Sequence, residues 1–166
     1  MTIQFFITGG TIDNVDYDSL DNIPKELKSF IPELLDLLKR SNVTIDFEDK
    51  VLFLKDSRFI SDGDRKIILE KCKSCKNRNI IITHGSFTMA ETAKFLLNQN
   101  INKTVVLVGS ITPINKNKSD ALFNLGSAIT AVQLLKNGVY IAMNGQIFTA
   151  NNVQKNQDKV LFEKEF

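Results

Sequence analysis

Two apolar runs that break into glycine and hydroxyl residues constrain this chain more than any other feature. One spans residues 5–12 (FFITGGTI) and the other spans residues 80–88 (IIITHGSFT). Strands covered on both faces read as continuous apolar runs, and open α/β sheets place ligands at the carboxyl ends of their strands. The two runs therefore predict two parallel strands of one sheet whose polar ends contribute to one site.

The length and charge of the chain fit a single domain over residues 1–166. Its 166 residues are 43% hydrophobic, which suits one core. The 21 basic and 19 acidic residues are scattered along the chain, so we expect no nucleic-acid partner and no membrane-surface partner. No stretch approaches the roughly 18 apolar residues of a membrane span, and the N-terminus leads directly into a strand without a signal peptide. We therefore expect a cytoplasmic protein.

Segments with strand character alternate with segments of helical periodicity. Helices are predicted over residues 32–40, after Ser61 to about Cys72, over 88–98 and over 119–136. Strands are predicted over residues 2–8, 43–47, 51–54, 79–83, 104–108, 139–143 and 146–148. This order predicts a three-layer α/β fold of the Rossmann or flavodoxin type, with a mostly parallel sheet flanked by helices and a C-terminal β-hairpin.

Local signals fix several ends of these elements. Ser61 is a predicted N-cap, and Thr88 with Glu91 matches a capping box. Gly138 is predicted to stop the helix over 119–136, which turns Leu122 and four further apolar residues inward. The dipeptide at 144–145, Asn-Gly, predicts the tight turn of the hairpin. Residues 156–166 either dock or fray.

The cysteines and the single histidine argue against a metal or a cofactor. Cys72 and Cys75 form a C-x-x-C motif, but no second pair exists and zinc needs about four ligands. A redox C-x-x-C opens a helix, whereas this one closes a helical stretch. The nucleotide patterns G-x-G-x-x-G and G-x-x-x-x-G-K are both absent. We expect two reduced thiols and no cofactor.

The hydroxyls at the two strand ends suit covalent acyl transfer. That chemistry needs a nucleophile, a group that removes its proton, and donors for the oxyanion. His84 is either a general base or a hydrogen-bonded structural residue. A lysine with a pKa lowered by burial is the alternative base, and spacing alone does not distinguish Lys155 from the other lysines.

Two motifs resemble the bacterial-type L-asparaginases, which are amidohydrolases with a threonine nucleophile. Residues 8–12 (TGGTI) are similar to the first signature of that family, and residues 82–93 (ITHGSFTMAETA) are similar to the second. The similarity continues through residues 108–113, 119–125 and 143–155, and so covers nearly the whole chain. It is confined to the N-terminal domain of that family, which implies the fold predicted above.

The resemblance implies roles for individual residues. Thr11 corresponds to the nucleophile, Ser86 to the second catalytic threonine, and Lys155 to the lysine that pairs with it. Tyr17 lies in the loop that carries an activating tyrosine in the family. Ser57 lies near the serine that binds the α-carboxylate of the substrate.

The resemblance also implies residues that shape the backbone and main-chain amides that bind the oxyanion. His84 and Gly85 shape the turn after the second strand, and main-chain amides near Gly10 and Ser86 stabilise the oxyanion. The resemblance also implies a homodimer or a homotetramer. In family members a second, C-terminal domain completes the site of the neighbouring subunit, although short single-domain relatives exist.

The chain departs from the family at Phe87, where an aspartate is usual. In the family that carboxylate holds the α-ammonium of the substrate and partners the lysine. We therefore expect a small carboxamide other than asparagine as the substrate. Asp13 either supplies a substitute carboxylate or is an Asx-type turn residue. The alternative to an enzyme is a non-catalytic ligand-binding or interaction module with the same fold.

Overall fold

A six-stranded sheet organises the fold, in a computed structural model that describes residues 1–14 and 33–166. The strands of this sheet are β1 (Thr2–Ile7), β2 (Asp46–Val51), β3 (Asn79–Thr83), β4 (Thr104–Val108), β5 (Gly138–Met143) and β6 (Gln146–Thr149). A separate pair consists of β7 (Gln154–Asn156) and β8 (Leu161–Glu163). The helices are α1 (Glu33–Arg40), α2 (Asp62–Ser74), α3 (Met89–Leu97) and α4 (Ala121–Leu134).

The strand order β2-β1-β3-β4-β5-β6 places the two predicted strand ends side by side. The first five strands are parallel, and β6 pairs with β5 in the antiparallel direction. In this register Ile7 lies opposite Thr83, and Thr83 lies opposite Val108. The carboxyl ends of β1, β3 and β4 therefore reach the same edge, and the predicted α/β fold class is confirmed.

The core consists of two layers, one on each face of the sheet. Successive residues of a strand point to opposite faces, and in β3 Ile80 and Ile82 belong to one apolar cluster while Ile81 belongs to the other. Residues of α2 and α3 join the first cluster, and residues of α1 and α4 join the second. Helices therefore flank both faces, as the alternation of elements predicted.

Strand β2 differs from the prediction. Residues 43–47 and 51–54 were predicted as two short strands, but a single strand covers Asp46–Val51. It pairs with β1 along its whole length and lies at the edge of the sheet. The strand has no buried residue, so polar residues suit it, and the apolar residues on its two sides led to the wrong predicted ends. Phe53 and Leu54 are buried beyond the strand, where the chain crosses toward the site.

The predicted capping box at Thr88 and Glu91 is wrong. The N-terminus of α3 is capped from another segment, because Ser57 Oγ accepts hydrogen bonds from the amides of Phe87 (3.1 Å) and Thr88 (3.4 Å). The Thr88 hydroxyl donates to the carbonyl oxygen of Ser57 at 2.7 Å. Glu91 instead forms an ion pair with Arg65 at 3.0 Å. A tertiary contact has replaced the local cap and connects α3 to the segment after β2.

Helix α4 also departs from the prediction at both ends. It ends at Leu134 and Gly138 begins β5, so Gly138 is not the residue that stops the helix. Leu122 is 49% exposed, whereas inward packing was predicted. By contrast, the Ser61 cap of α2 is confirmed, since its side chain accepts from the Asp64 amide and Asp64 bonds back to the Ser61 amide.

The C-terminal segment docks onto the domain. Asn144 (φ 54°) and Gly145 (φ 72°) form the predicted tight turn between β5 and β6. Beyond it, β7 and β8 pair with each other, and Phe162 of β8 is buried in the first core cluster. The Phe162 amide donates to Asn144 Oδ1 at 2.8 Å. These contacts settle the question of whether residues 156–166 dock or fray.

Cys72 is buried in the last turns of α2, and Cys75 follows the helix as its C-cap, so the C-x-x-C motif closes a helix as predicted. Both thiols are free. Among the helices of the described residues, none has the length and apolar character needed to cross a bilayer.

Candidate active site

Three backbone segments meet at the carboxyl edge of the sheet, and glycines permit the contact. Gly9 and Gly10 follow β1 with φ of 99° and 84°, values that L side chains rarely adopt. A Cβ atom on Gly10 would lie 2.3 Å from the Gly85 nitrogen, and a Cβ atom on Gly85 would lie 2.6 Å from Ser57 Oγ. The Gly10 amide donates to the Lys55 carbonyl oxygen at 3.0 Å. The loops after β1, β2 and β3 are therefore in direct contact.

Hydroxyl and carboxyl groups fasten the loop after β1 to the end of β3. The Thr8 hydroxyl donates to the Thr83 carbonyl oxygen at 2.6 Å. Asp13 Oδ2 accepts from the Thr83 hydroxyl at 2.5 Å and from the Gly9 amide at 3.2 Å. Of the two roles considered for Asp13, this geometry matches the turn residue. Burial raises the pKa of Asp13 to about 7, against the opposing effect of its hydrogen bonds to Thr83 and Gly9.

His84 is a buried, neutral part of the same turn. Its Nδ1 lies 2.8 Å from the carbonyl oxygen of Gly85, so Nδ1 carries the proton and donates it. Burial lowers the pKa of His84 to about 4, and Nε2 has no hydrogen-bond partner among the described residues. This geometry favours the structural one of the two roles predicted for His84.

A cavity of about 120 Å³ opens where the three segments meet. Six of the predicted site residues line it, and they are Gly10, Ser57, Gly85, Ser86, Phe87 and Lys155. Thr11 and Asp13 do not appear among the described residues that line it. Tyr17 lies outside the described residues. The sequence motifs have thus identified most of this cavity.

Lys155 reaches the cavity from β7 and contacts Ser86. Its Nζ donates to Ser86 Oγ at 2.9 Å and lies 5.6 Å from the centroid of the Phe87 ring. Burial lowers the pKa of Lys155, while the nearby charge of Asp56 acts in the opposite direction. A lower pKa increases the fraction of neutral amine, which is the form that accepts a proton.

Thr11 lies beside the cavity in a short 3-10 turn, Thr11–Asp13. It is 1% exposed, and its Oγ1 has no hydrogen-bond partner among the described residues. Leaving a buried hydroxyl unpaired costs about 1–3 kcal/mol, so natural proteins retain few such groups. The packing of Gly10 against Gly85 holds the loop that carries Thr11 against the segment that carries Ser86.

Two charged residues of the cavity, Asp56 and Arg58, were missed. Asp56 is buried and accepts from the Arg58 amide (2.8 Å), Nε (3.2 Å) and Nη2 (3.0 Å). A signal for them was present, because residues 51–54 form a third apolar run and the charged residues follow it. Within that segment the resemblance to the family indicated Ser57 alone as a site residue.

The chain matches the family model described as "Asparaginase, N-terminal" over residues 2–161. It belongs to the asparaginase family. A "Probable L-asparaginase periplasmic" of Haemophilus influenzae is 30% identical over 161 residues, which cover 92% of this chain and 46% of the relative. A "Glutaminase-asparaginase" of Pseudomonas aeruginosa is 36% identical over 168 residues, which cover 92% of this chain and 45% of the relative.

Solved structures of family members superpose on nearly all of this chain. The thermostable L-asparaginase from Thermococcus kodakarensis matches with a TM-score of 0.80 and 26% identity, over 99% of this chain and 51% of its own. A structure titled as a probable cytoplasmic L-asparaginase from Campylobacter jejuni matches with a TM-score of 0.79 and 28% identity, over 98% of this chain and 52% of its own. The chain thus spans about half the length of the asparaginases it matches.

The substitution Gly10→Ala is expected to lower the free energy of unfolding by about 2 kcal/mol or more, because its Cβ would collide with the Gly85 backbone at a positive φ. Gly126→Ala is the matched control. Its Cβ meets nothing within 4 Å in α4, so it should raise stability by about 0.5–1 kcal/mol. Urea denaturation measures both changes, and equal effects of the two substitutions would contradict the close approach.

The substitution Asp13→Asn is expected to change how stability depends on pH. Because the pKa of Asp13 is raised in the folded state, protonated Asp13 stabilises the native protein. This contribution to the free energy of unfolding is fully present below pH 3.8 and is lost as pH rises toward about 7. Asparagine does not titrate, so the stability of the variant relative to the native protein should increase between about pH 4 and pH 7. Urea denaturation at several pH values measures this difference, and a difference independent of pH would refute the assignment.

Proposed function

We propose that residues 1–166 form one catalytic domain that releases ammonia from a small carboxamide. The observation that carries this proposal is the 2.9 Å hydrogen bond between Lys155 Nζ and Ser86 Oγ, at the wall of a cavity that residues of both asparaginase signatures help to line. A hydroxyl paired with an amine of lowered pKa is a proton-transfer pair. The names of the relatives support the reaction class, because they are asparaginases and glutaminase-asparaginases.

Thr11 is the proposed nucleophile. Its hydroxyl oxygen attacks the carboxamide carbon, its proton passes through Ser86 and Lys155 to the leaving nitrogen, and the C–N bond breaks to release ammonia. Water then hydrolyses the ester on Thr11 and regenerates the hydroxyl. Because Thr11 is not among the described residues that line the cavity, attack requires its side chain to turn toward Ser86. The proposed activating residue Tyr17 lies outside the described residues.

Main-chain amides and Ser57 supply the proposed substrate contacts. Amides near Gly10 and Ser86 stabilise the oxyanion, and the Gly10 amide is itself bonded to the Lys55 carbonyl, so a neighbouring amide acts on that side. Ser57 Oγ accepts from two amides at the start of α3, and this directs the hydroxyl proton of Ser57 toward a substrate carboxylate. Asp13 contributes by holding the loop that carries Thr11.

Phe87 makes asparagine a poor candidate for the substrate. Its ring is 50% exposed and lines the cavity where the family has a carboxylate for the α-ammonium. Placing an ammonium against an apolar ring without an acceptor is unfavourable. The presence of Phe87 in place of the carboxylate also favours the second candidate function, a ligand-binding module without catalysis. Assays of ammonia release distinguish this module from an enzyme.

The cellular setting is proposed from the family resemblance. We propose a cytoplasmic homodimer or homotetramer that acts on a small-molecule amide, without a cofactor, a metal, a nucleic-acid partner or a membrane partner. The names of the matched proteins include both a periplasmic and a cytoplasmic asparaginase.

Thr11→Ala is expected to reduce ammonia release from the preferred amide by about 10³-fold or more, because the acyl-enzyme is no longer formed. Thr11→Ser keeps a hydroxyl and should keep measurable turnover. A coupled assay for ammonia measures the rates, and thermal unfolding checks that both variants fold. Full activity of a folded Thr11→Ala variant would contradict the assignment of Thr11 as the nucleophile. If the native protein released no ammonia from a broad panel of amides, the non-catalytic binding module would be favoured.

Succinamate is expected to be a better substrate than asparagine, because the two amides differ by the α-ammonium that Phe87 disfavours. The ratio of kcat/KM for succinamate to that for asparagine should be about 10 or more, which corresponds to about 1.4 kcal/mol. Phe87→Asp should lower this ratio, whereas Phe87→Leu should preserve it. Equal or faster release from asparagine in the native protein would be incompatible with this substrate class.

A further inference from the structure

We propose that Arg58, held in place by Asp56, makes the cavity select carboxylate ligands that carry no α-ammonium. The inference concerns the ligand specificity of the same cavity and so rests on the proposed function only for the identity of the site. It assigns specificity to a residue that the sequence motifs did not indicate. Its chemistry is recognition of a small dicarboxylate, or of the monoamide of one.

The contacts of Arg58 fix where its charge lies. Asp56 Oδ1 accepts from Nε at 3.2 Å, and Asp56 Oδ2 accepts from Nη2 at 3.0 Å, which is the paired geometry of an arginine and a carboxylate. The guanidinium also lies 5.8 Å from the centroid of the Phe59 ring. Arg58 and Asp56 both line the cavity, so a positioned guanidinium forms part of its wall.

The charge balance of the wall favours an anion. Of the described residues that line the cavity, Arg58 and Lys155 are the bases and Asp56 is the acid. Both oxygens of Asp56 are engaged by Arg58, so this carboxylate is compensated within the wall. The described part of the wall therefore carries one more positive charge than negative charge. Burial makes the charge of Lys155 less favourable, and a bound carboxylate would stabilise it.

The same wall disfavours an α-ammonium group. The described wall offers it Phe87, which is apolar, and two cationic side chains that repel it. A carboxylate, by contrast, can bond the Ser57 hydroxyl and the guanidinium of Arg58 together. The volume of about 120 Å³ suits a small ligand, since sites for drug-sized molecules enclose about 300–1,000 Å³.

Succinate and L-aspartate test the proposal directly, because they differ only by the α-ammonium and neither has an amide to hydrolyse. Isothermal titration calorimetry of the native protein should show succinate binding about 10-fold or more tightly than aspartate, because only aspartate places an ammonium against Phe87 and the cationic side chains of the wall. Arg58→Gln should weaken succinate about 10-fold, as expected for one charge-assisted contact, and should bring this ratio to about 3 or less, because one of the two cationic side chains that repel the α-ammonium is gone. Arg58→Lys, which keeps the charge without the paired geometry, should give an intermediate ratio.

Two further variants control the experiment. Arg78→Gln removes an exposed arginine that bonds Asn137, away from the cavity, and should leave both affinities unchanged. Asp56→Asn combined with Arg58→Gln removes the buried acid together with its partner. It should reproduce the loss of succinate affinity even where Arg58→Gln alone unfolds because Asp56 is left unpaired.

The outcomes separate this inference from the proposed function. Aspartate binding as tightly as succinate, or a succinate affinity that survives the double substitution, would overturn the role of Arg58 whether or not the protein releases ammonia. Selective succinate binding that depends on Arg58 supports it even if no amide is hydrolysed, in which case the proposed catalysis fails and the specificity stands.

Discussion

The contact between the Gly10 and Gly85 backbones is the constraint on which the rest of the site depends. Parallel pairing of β1 with β3 brings the two loops to the same edge, but only residues without a Cβ allow the loops to touch. That contact holds the loop that carries Thr11 against the segment that carries Ser86, and Gly85 in turn packs against Ser57. The cavity is therefore a consequence of main-chain packing, with side chains added around it.

The base of the proposed proton-transfer pair comes from a separate element, the β7–β8 hairpin. Lys155 lies opposite Phe162 in that pair, and Phe162 is buried in the core. The amide of Phe162 bonds Asn144, and Asn144 bonds Asn124 of α4 through its own amide. This chain of contacts fixes the hairpin against the sheet, and so places the amine of Lys155 at Ser86. The position of Lys155 thus depends on docking of the C-terminal segment.

The sequence allowed the sheet to be predicted for an identifiable physical reason, whereas most of the cavity residues were predicted from the resemblance to the asparaginase family. Buried parallel strands such as β3 and β4 are continuous apolar runs, and both have the predicted bounds. Edge strand β2 lacks that signal, and its position follows from pairing with β1. The cap of α3 was missed because Ser57 is distant in sequence from Thr88. Local sequence patterns do not contain such tertiary contacts. No local pattern indicated that Asp56 and Arg58 line the cavity either.

The proposed chemistry depends on the protonation state of Lys155. The most direct measurement is an NMR titration of the side-chain Cε and Nζ signals of Lys155, assigned by their loss in Lys155→Arg. The proposed chemistry requires a pKa below the roughly 10.4 of an unperturbed lysine, because burial disfavours the charged amine. Exposed lysines in the same spectrum provide the internal reference. A Lys155 that titrates at or above that reference would contradict the account.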